Sequence, residues 1–232
     1  IEEFRALEHY LEGEFDSDGN FTGRVKAFGK DLGIKTIYNK NPNRYSGKDY
    51  LGSFKFCIGA VELEQRSTTH PQEEYVHILK QLDMYGGVCI FRDSLRVMPY
   101  GRVGADLFNI EERRSKNAGR YFWSYRRSFG RISFTSGKNP NLKDKAGREG
   151  LVDNKARREL QRLVTNLLIE SALMYFGRES GLRQNELPEI QKKNAAMKKA
   201  AEKAAKKNKS NFKISLKNNY REISDANALL KE

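Results

Sequence analysis

The sequence predicts an α+β fold, one sheet with helices on one face. Three observations lead there. Residues 21–28, 52–63 and 130–135 alternate apolar and polar side chains, or run apolar and β-branched, as strands of a half-buried sheet do. Residues 71–85 and 153–176 instead space their apolar residues as one face of a helix. Two short apolar runs, 88–91 and 95–100, are joined by Arg92-Asp93-Ser94, a strong local hairpin signal. The order β, β, α, β-hairpin, β, α suits an α+β or split β-α-β sandwich.

Charge bounds the partners. The chain has 43 Lys+Arg against 30 Asp+Glu, a net charge of +13 that favours polyanions or an acidic surface. Much of the excess is local: Lys192, Lys193, Lys198, Lys199, Lys203, Lys206, Lys207 and Lys209 face only Glu202. A hydrophobic fraction of 38% and a mean hydropathy of -0.76 are low for a wholly compact chain. Cys57 and Cys89 each lie in an apolar run and read as buried thiols of a reducing, cytoplasmic compartment. His9, His70 and His77 form no metal-binding spacing, so no metal site is expected. No run of eighteen apolar residues exists, and no membrane partner is expected. The opening IEEFRALEHYLEGEF lacks a methionine and a signal-peptide pattern, which suggests a piece of a longer protein.

Taken in order, residues 1–13 place Ile1, Phe4, Leu7 and Leu11 on one helical face before Gly13 and read as a linker helix. A domain is expected over 14–180. Asp16 to Asn20 turns into the strand 21–28, in which Gly23 is a weak point. Residues 31–52 read as a polar excursion carrying Lys35, Lys40, Arg44, Lys48, Tyr38, Tyr45 and Tyr50. The apolar run 52–63 is the clearest central strand. Pro71 opens a helix with Glu73 and Glu74 in its first turn and Tyr75, Val76, Leu79 and Leu82 to bury. After the hairpin, 108–116 reads as one or two helical turns.

Residues 117–128 crowd Arg120, Arg126 and Arg127 among Tyr121, Phe122, Trp123 and Tyr125. This mixture suits stacking on bases with phosphate contacts, or aromatics packed inward beneath a rim of arginines. Strand 130–135 turns Arg131, Ser133 and Thr135 to one side and Ile132 and Phe134 to the other. A basic loop with Lys138, Lys143, Lys145 and Arg148 then leads to a helix from about Asp153 to the stop at Gly177. Its first half is expected to show Arg157, Arg158, Glu159 and Arg162 to solvent. Residues 181–211 form an Ala/Lys-rich linker, either exposed helix or without fixed structure. Residues 212–232 read as the start of a following region, with a short strand at 212–216.

Two stretches together, GGVCIFRDSLRVMPYG and NPNLKDKAGREGLVDNKARRELQRLV, resemble the transducer (middle) domain of ATPases of the gyrase, heat-shock-chaperone, histidine-kinase and mismatch-repair superfamily. The likeness covers about residues 50–176 and is closest to bacterial histidine-kinase-like ATP-binding proteins, several of them associated with antiviral defence. It implies a ribosomal-protein-like β-α-β two-layer sandwich. It also implies an ATP site in a preceding domain of the same polypeptide, to which the middle domain lends one basic residue at the γ-phosphate. Gly147-Arg148-Glu149-Gly150-Leu151 is similar to the serine-arginine-glutamate-x-leucine run of the ninety-kilodalton chaperone, which carries the phosphate contact onto Arg148. In gyrase-like members a lysine earlier in the loop does this work, a position held here by Lys143 or Lys145. Asn141 joins them as a loop-shaping, cofactor-binding candidate. ATP and Mg2+ are implied for the parent protein and neither for this chain alone. A homodimer is a further partner the resemblance suggests.

Two other classes stay open. One is a nucleic-acid module for DNA or RNA, using Arg120, Trp123, Arg126 and Arg127 with Lys198, Lys199, Lys206 and Lys207. The other is a structural protein–protein module.

Overall fold

The computed structural model of the chain describes residues 5–42, 49–147 and 149–229, without the side chains of 222 and 224–229. These residues build a seven-stranded mixed sheet from β1 (His9–Phe15), β2 (Phe21–Ala27), β3 (Lys30–Ile37), β4 (Phe54–Ala60), β5 (Gly87–Arg92), β6 (Leu95–Val97) and β7 (Ser128–Phe134). Their order across the sheet is β3-β2-β1-β4-β7-β5-β6. Neighbours are antiparallel except β5 and β7, which run parallel.

Strand register puts one kind of side chain on each face. Leu11 lies opposite Val25 and Ile58; Phe56 lies opposite Ile132, and Ile132 opposite Ile90. Phe15 lies opposite Phe21 and Phe54. This face packs against α4 (Lys155–Ser171), whose Leu160, Leu163, Val164, Leu167 and Leu168 are buried in the same core. Gly13 and Gly23 pair in the middle of the face, where a Cβ at Gly23 would stand 2.7 Å from the Phe21 ring. The glycine pair therefore makes room for the ring, and Gly23 is not a weak point. The opposite face carries Glu12, Arg24, Lys55 and Arg131.

The expectation of helices on one face only does not hold, because one helix covers the other face. Val61 and Phe129 turn to the opposite side, where they meet Leu7 and the buried Tyr75, Ile78 and Leu82 of α1 (Gln72–Tyr85). Apolar residues on both faces at that end of the sheet require cover on both. Two short helices, α2 (Ile110–Lys116) and α3 (Ala118–Tyr121), precede β7.

Several expectations change. His9 to Gly13, assigned to a linker helix, are β1: the Leu11, Gly13, Phe15 alternation with Glu12 and Glu14 gains two strand partners, which outweighs helical spacing. The polar excursion includes β3, an edge strand whose side chains are mostly exposed and so show no apolar alternation. Phe4 and Ile1, and Arg44, Tyr45 and Lys48, lie outside the described residues. Glu159 is buried, not solvent-facing, because Arg162 grips both its oxygens at 2.8 and 2.5 Å. Cys57 is buried as expected, and burial pushes its thiol up to about 11; Cys89 is half-buried.

After α4 a π-helical turn at Ala172–Phe176 leads to Gly177, the expected stop. The chain then forms α5 (Gly181–Leu229), a 49-residue helix. It runs through 212–216 without a strand, since among the described residues no strand pairs with that alternation. Arg183 near its start reaches into the domain and makes a bidentate pair with the buried Glu62, at 2.5 and 2.8 Å. His9, with no exposed surface, accepts the Phe28 amide at Nδ1, so its ring hydrogen sits on Nε2 and is donated to Glu62 at 3.1 Å. Gln191 donates to Ser67, and Asn194 to the carbonyls of Arg66 and Thr68.

Burial by itself would push the Glu62 carboxyl up, but the hydrogen bonds from His9 and Arg183 hold it below the usual carboxylate value. A depressed folded value means the stabilisation is present above the unfolded value of about 4.3 and is lost as pH falls through the folded one. Glu62→Gln strips Arg183 of its carboxylate and is expected to cost about 3–5 kcal/mol at neutral pH. In urea titrations the gap between variant and wild type should narrow steadily below pH ~4.3. A gap that stays constant into acid would count against this ion pair.

Candidate functional site: a framed basic loop

The loop between β7 and α4 is held by residues distant in sequence. Asn139 has no exposed surface; its side chain accepts the Gly52 amide and donates to the Ser53 carbonyl, both at 2.8 Å. Asn141 donates to the Tyr50 carbonyl at 2.9 Å. Asn154 caps α4 by accepting the Arg157 amide, and its Nδ2 donates to the Asn141 carbonyl at 2.7 Å. The loop start is pinned to the β5–β6 turn: Asp93 donates its amide to the Phe134 carbonyl and accepts the Ser136 amide, and the Ser136 hydroxyl and amide together lower the Asp93 pKa. That turn has positive φ at both Asp93 and Ser94, as a tight two-residue hairpin requires.

Inside this frame the loop folds back on itself. The Val152 amide donates to the Lys143 carbonyl at 2.8 Å and the Lys145 amide to the Gly150 carbonyl at 2.9 Å, with Asp144 bridged to Leu151. Leu142 and Leu151 are buried beneath. Tyr100 accepts the Leu151 amide at 3.1 Å, and Met98 bridges to Glu149 beside β6. Gly150 has φ +98°, and a Cβ there would stand 3.0 Å from the Tyr100 hydroxyl. The glycine after the arginine–glutamate pair is therefore dictated by backbone and by Tyr100.

Lys143 and Lys145 are exposed and have no carboxylate within 4.0 Å among the described residues. Lys138 faces Glu14 at 3.8 Å, both exposed. Arg148 lies outside the described residues. Its described neighbours Gly147 and Glu149 are exposed, at the tip of the folded-back segment. Arg92 and Asp144 approach to 3.7 Å and brace the loop from β5. The loop presents cations on a fixed frame. Sequence reading missed Tyr100 as an anchor; only its place at the end of the RVMPYG run hinted at it.

The second cluster of candidates is not a stacking surface. Trp123 is buried and donates to the Leu168 carbonyl and the Ser171 hydroxyl, each at 3.1 Å. The indole N–H needs a partner wherever it is buried, and α4 supplies it. Tyr125 is also buried and donates to the carbonyls of Arg102 and Ala105. Arg120 and Arg126 are exposed and Arg127 is half-buried, so the aromatics pack inward beneath an arginine rim. Lys198, Lys199, Lys206 and Lys207 are exposed on α5, and no described helix is long and apolar enough to cross a membrane.

No protein-family model matches the chain, and no curated protein matches it. Among solved structures, the topoisomerase IV ATP-binding domain of Francisella tularensis, in complex with a small-molecule inhibitor, aligns at 13% identity. The alignment covers 84% of this chain and 71% of that one, with a TM-score of 0.24. A similarity of that size carries neither fold nor function, which rest on the residues above.

Tyr100→Phe removes the acceptor of the Leu151 amide and little else. It is expected to cost about 1 kcal/mol and to speed hydrogen exchange at Leu151 well beyond that global change. Unchanged exchange at Leu151 would mean that Tyr100 does not hold the loop.

Proposed function

We propose that the chain is the transducer (middle) domain of an ATP-dependent machine, and that its framed loop lends a cation to the γ-phosphate of ATP held by a preceding domain. Arg148 is the leading residue, with Lys143 and Lys145 behind it. The chemistry suits phosphoryl transfer, in which catalysis is largely positive charge aimed where the transferring group develops negative charge. A cation acts best there if its frame needs no reorganisation, and Asn139, Tyr100 and Asn154 supply such a frame. This chain would contribute charge to the site, while the Mg2+ ligands would come from the nucleotide-binding domain.

The observation that carries the coupling part of the reading is the position of α4. Its N-terminus is capped by Asn154, which also grips the loop at Asn141. At the other end, beyond the π-helical turn, the Phe176 carbonyl accepts from Arg183 of α5 at 2.9 Å. One buried helix thus joins the phosphate-facing loop to the long helix, the connection a transducer needs.

The test uses the polypeptide that joins this chain to its nucleotide-binding domain. Arg148→Ala is expected to lower kcat by about 10²-fold or more, with a change in nucleotide Kd of roughly fivefold or less. Lys143→Gln and Lys145→Gln, assayed beside it, identify which cation makes the contact. Equal losses in turnover and affinity would argue against a transition-state role. Robust ATP turnover by the present chain alone would overturn the reading altogether.

A further inference from the structure

Lysines on α5 are arranged, not merely abundant. Successive residues of an α-helix turn by about 100°, so Lys192, Lys199, Lys203, Lys206, Lys213, Lys217 and Arg221 fall within a sector of about 80°. All seven are exposed, and among the described residues none has a carboxylate within 4.0 Å. Over 192–221 the chain has eleven Lys and Arg against the one acid, Glu202. The stripe extends for about 43 Å along the helix.

The rest of the helix tells what this stripe is not for. Arg183, Ile190 and Asn194, which turn to the domain, share a side of α5 with Phe212, Leu216 and Ile223. The cations therefore point away from the domain. Phe212, Leu216 and Ile223 lie well outside the cationic sector, while Ile214 and Tyr220 stand about 20° beyond its two edges. A base-stacking platform needs aromatics among the cations, and this stripe has none. Nor does it suit a lipid surface, where the apolar side must enter the bilayer. Between Met197 and Phe212 that side offers only Ala201 and Ala205.

We propose that α5 is a docking surface for the phosphate backbone of a nucleic-acid duplex, contacted through this cationic stripe without base readout. A straight row of unpaired cations meets a regular polyanion and releases its counterions, which gives sequence-independent, salt-sensitive binding. The inference does not rest on the phosphate-sensing reading, since the loop and the stripe share no residue.

The test is fluorescence anisotropy with the full chain and a labelled mixed-sequence duplex of about 24 base pairs, across a series of salt concentrations. Binding is expected at about 50 mM salt, with log K falling against log salt at a slope of about −3 to −6. Lys199→Gln, Lys203→Gln and Lys206→Gln combined should weaken binding about tenfold or more and flatten the slope by about 2–3. A matched set, Lys193→Gln, Lys198→Gln and Lys209→Gln, removes the same charge from the same helix off the stripe and should cost about threefold or less. Lys→Gln preserves helix propensity, and circular dichroism checks that both sets stay helical. Absence of duplex binding at about 50 mM salt, equal losses for the two sets, tighter binding to single strands, or binding to phosphatidylserine vesicles in place of duplex would each overturn the proposal.

Discussion

Two carboxylates buried at the same end of the sheet, Glu8 and Glu62, constrain how everything else is assembled. A carboxylate out of water must be met by donors, or its burial costs several kcal/mol. Glu8 is met by the Glu62 amide, the Thr68 hydroxyl, and the amide and hydroxyl of Thr69. Glu62 is met by His9 and Arg183, while its carbonyl accepts the Tyr75 hydroxyl. These donors come from β1, the segment before α1, α1 itself and α5. Satisfying two charges therefore draws four parts of the chain to one place. The same requirement explains why a helix with few large apolar residues attaches to the domain at all. Arg183 is inserted by ionic and hydrogen-bonding demand, with the Phe28 and Phe122 rings beside its guanidinium.

What could be read in the sequence follows from how local each determinant is. β7 was legible because Ile132 and Phe134 alternate with Arg131 and Ser133, and one face of it is wet. The β5–β6 turn was legible because Asp-Ser tolerates positive φ. β1 was not, since Leu7 and Leu11 are spaced as in a helix, and only pairing with β2 and β4 decides the matter. β3 was hidden by its exposed edge position. The alternation of Phe212, Ile214 and Leu216 suggested a strand, yet all three are exposed on α5, so no packing selects the period of two. The arginine–aromatic cluster at 120–127 looked like a binding surface because composition cannot tell which way an indole points. The hydrogen bonds of Trp123 to α4 decide it.

The site divides the same way. Its cations were visible as residue types in a loop between two well-marked elements. Its frame was not, because Asn139 reaches Gly52 and Ser53, and Leu151 reaches Tyr100, across separations of 87, 86 and 51 residues. Local reading could propose that Asn141 shapes the loop, but not onto what. Gly150 falls at the open position of the arginine–glutamate–x–leucine run, so the motif gave no reason for a glycine there. Its cause, a left-handed backbone against the Tyr100 hydroxyl, needed the fold.

These constraints together set how a displacement at the loop would spread. The tip is short, and its flanks are fixed to β6, Tyr100 and the α4 cap, so little of a push could be absorbed locally. α4 is buried along one face and leads through the π-helical turn to Phe176, whose carbonyl accepts from Arg183, which places the anchor of α5 at the far end of a stiff strut. Among the described residues, α5 meets the domain between Leu182 and Asn194, and every described side chain from 195 to 223 is exposed. About 40 Å of helix therefore extends beyond its anchor, and a tilt of about 5° there moves the far end by about 3–4 Å. In such a geometry sub-ångström changes at the β7–α4 loop need no mobile relay to become large ones. The lever is already part of the fold, and its fulcrum is the buried Glu62–Arg183 pair.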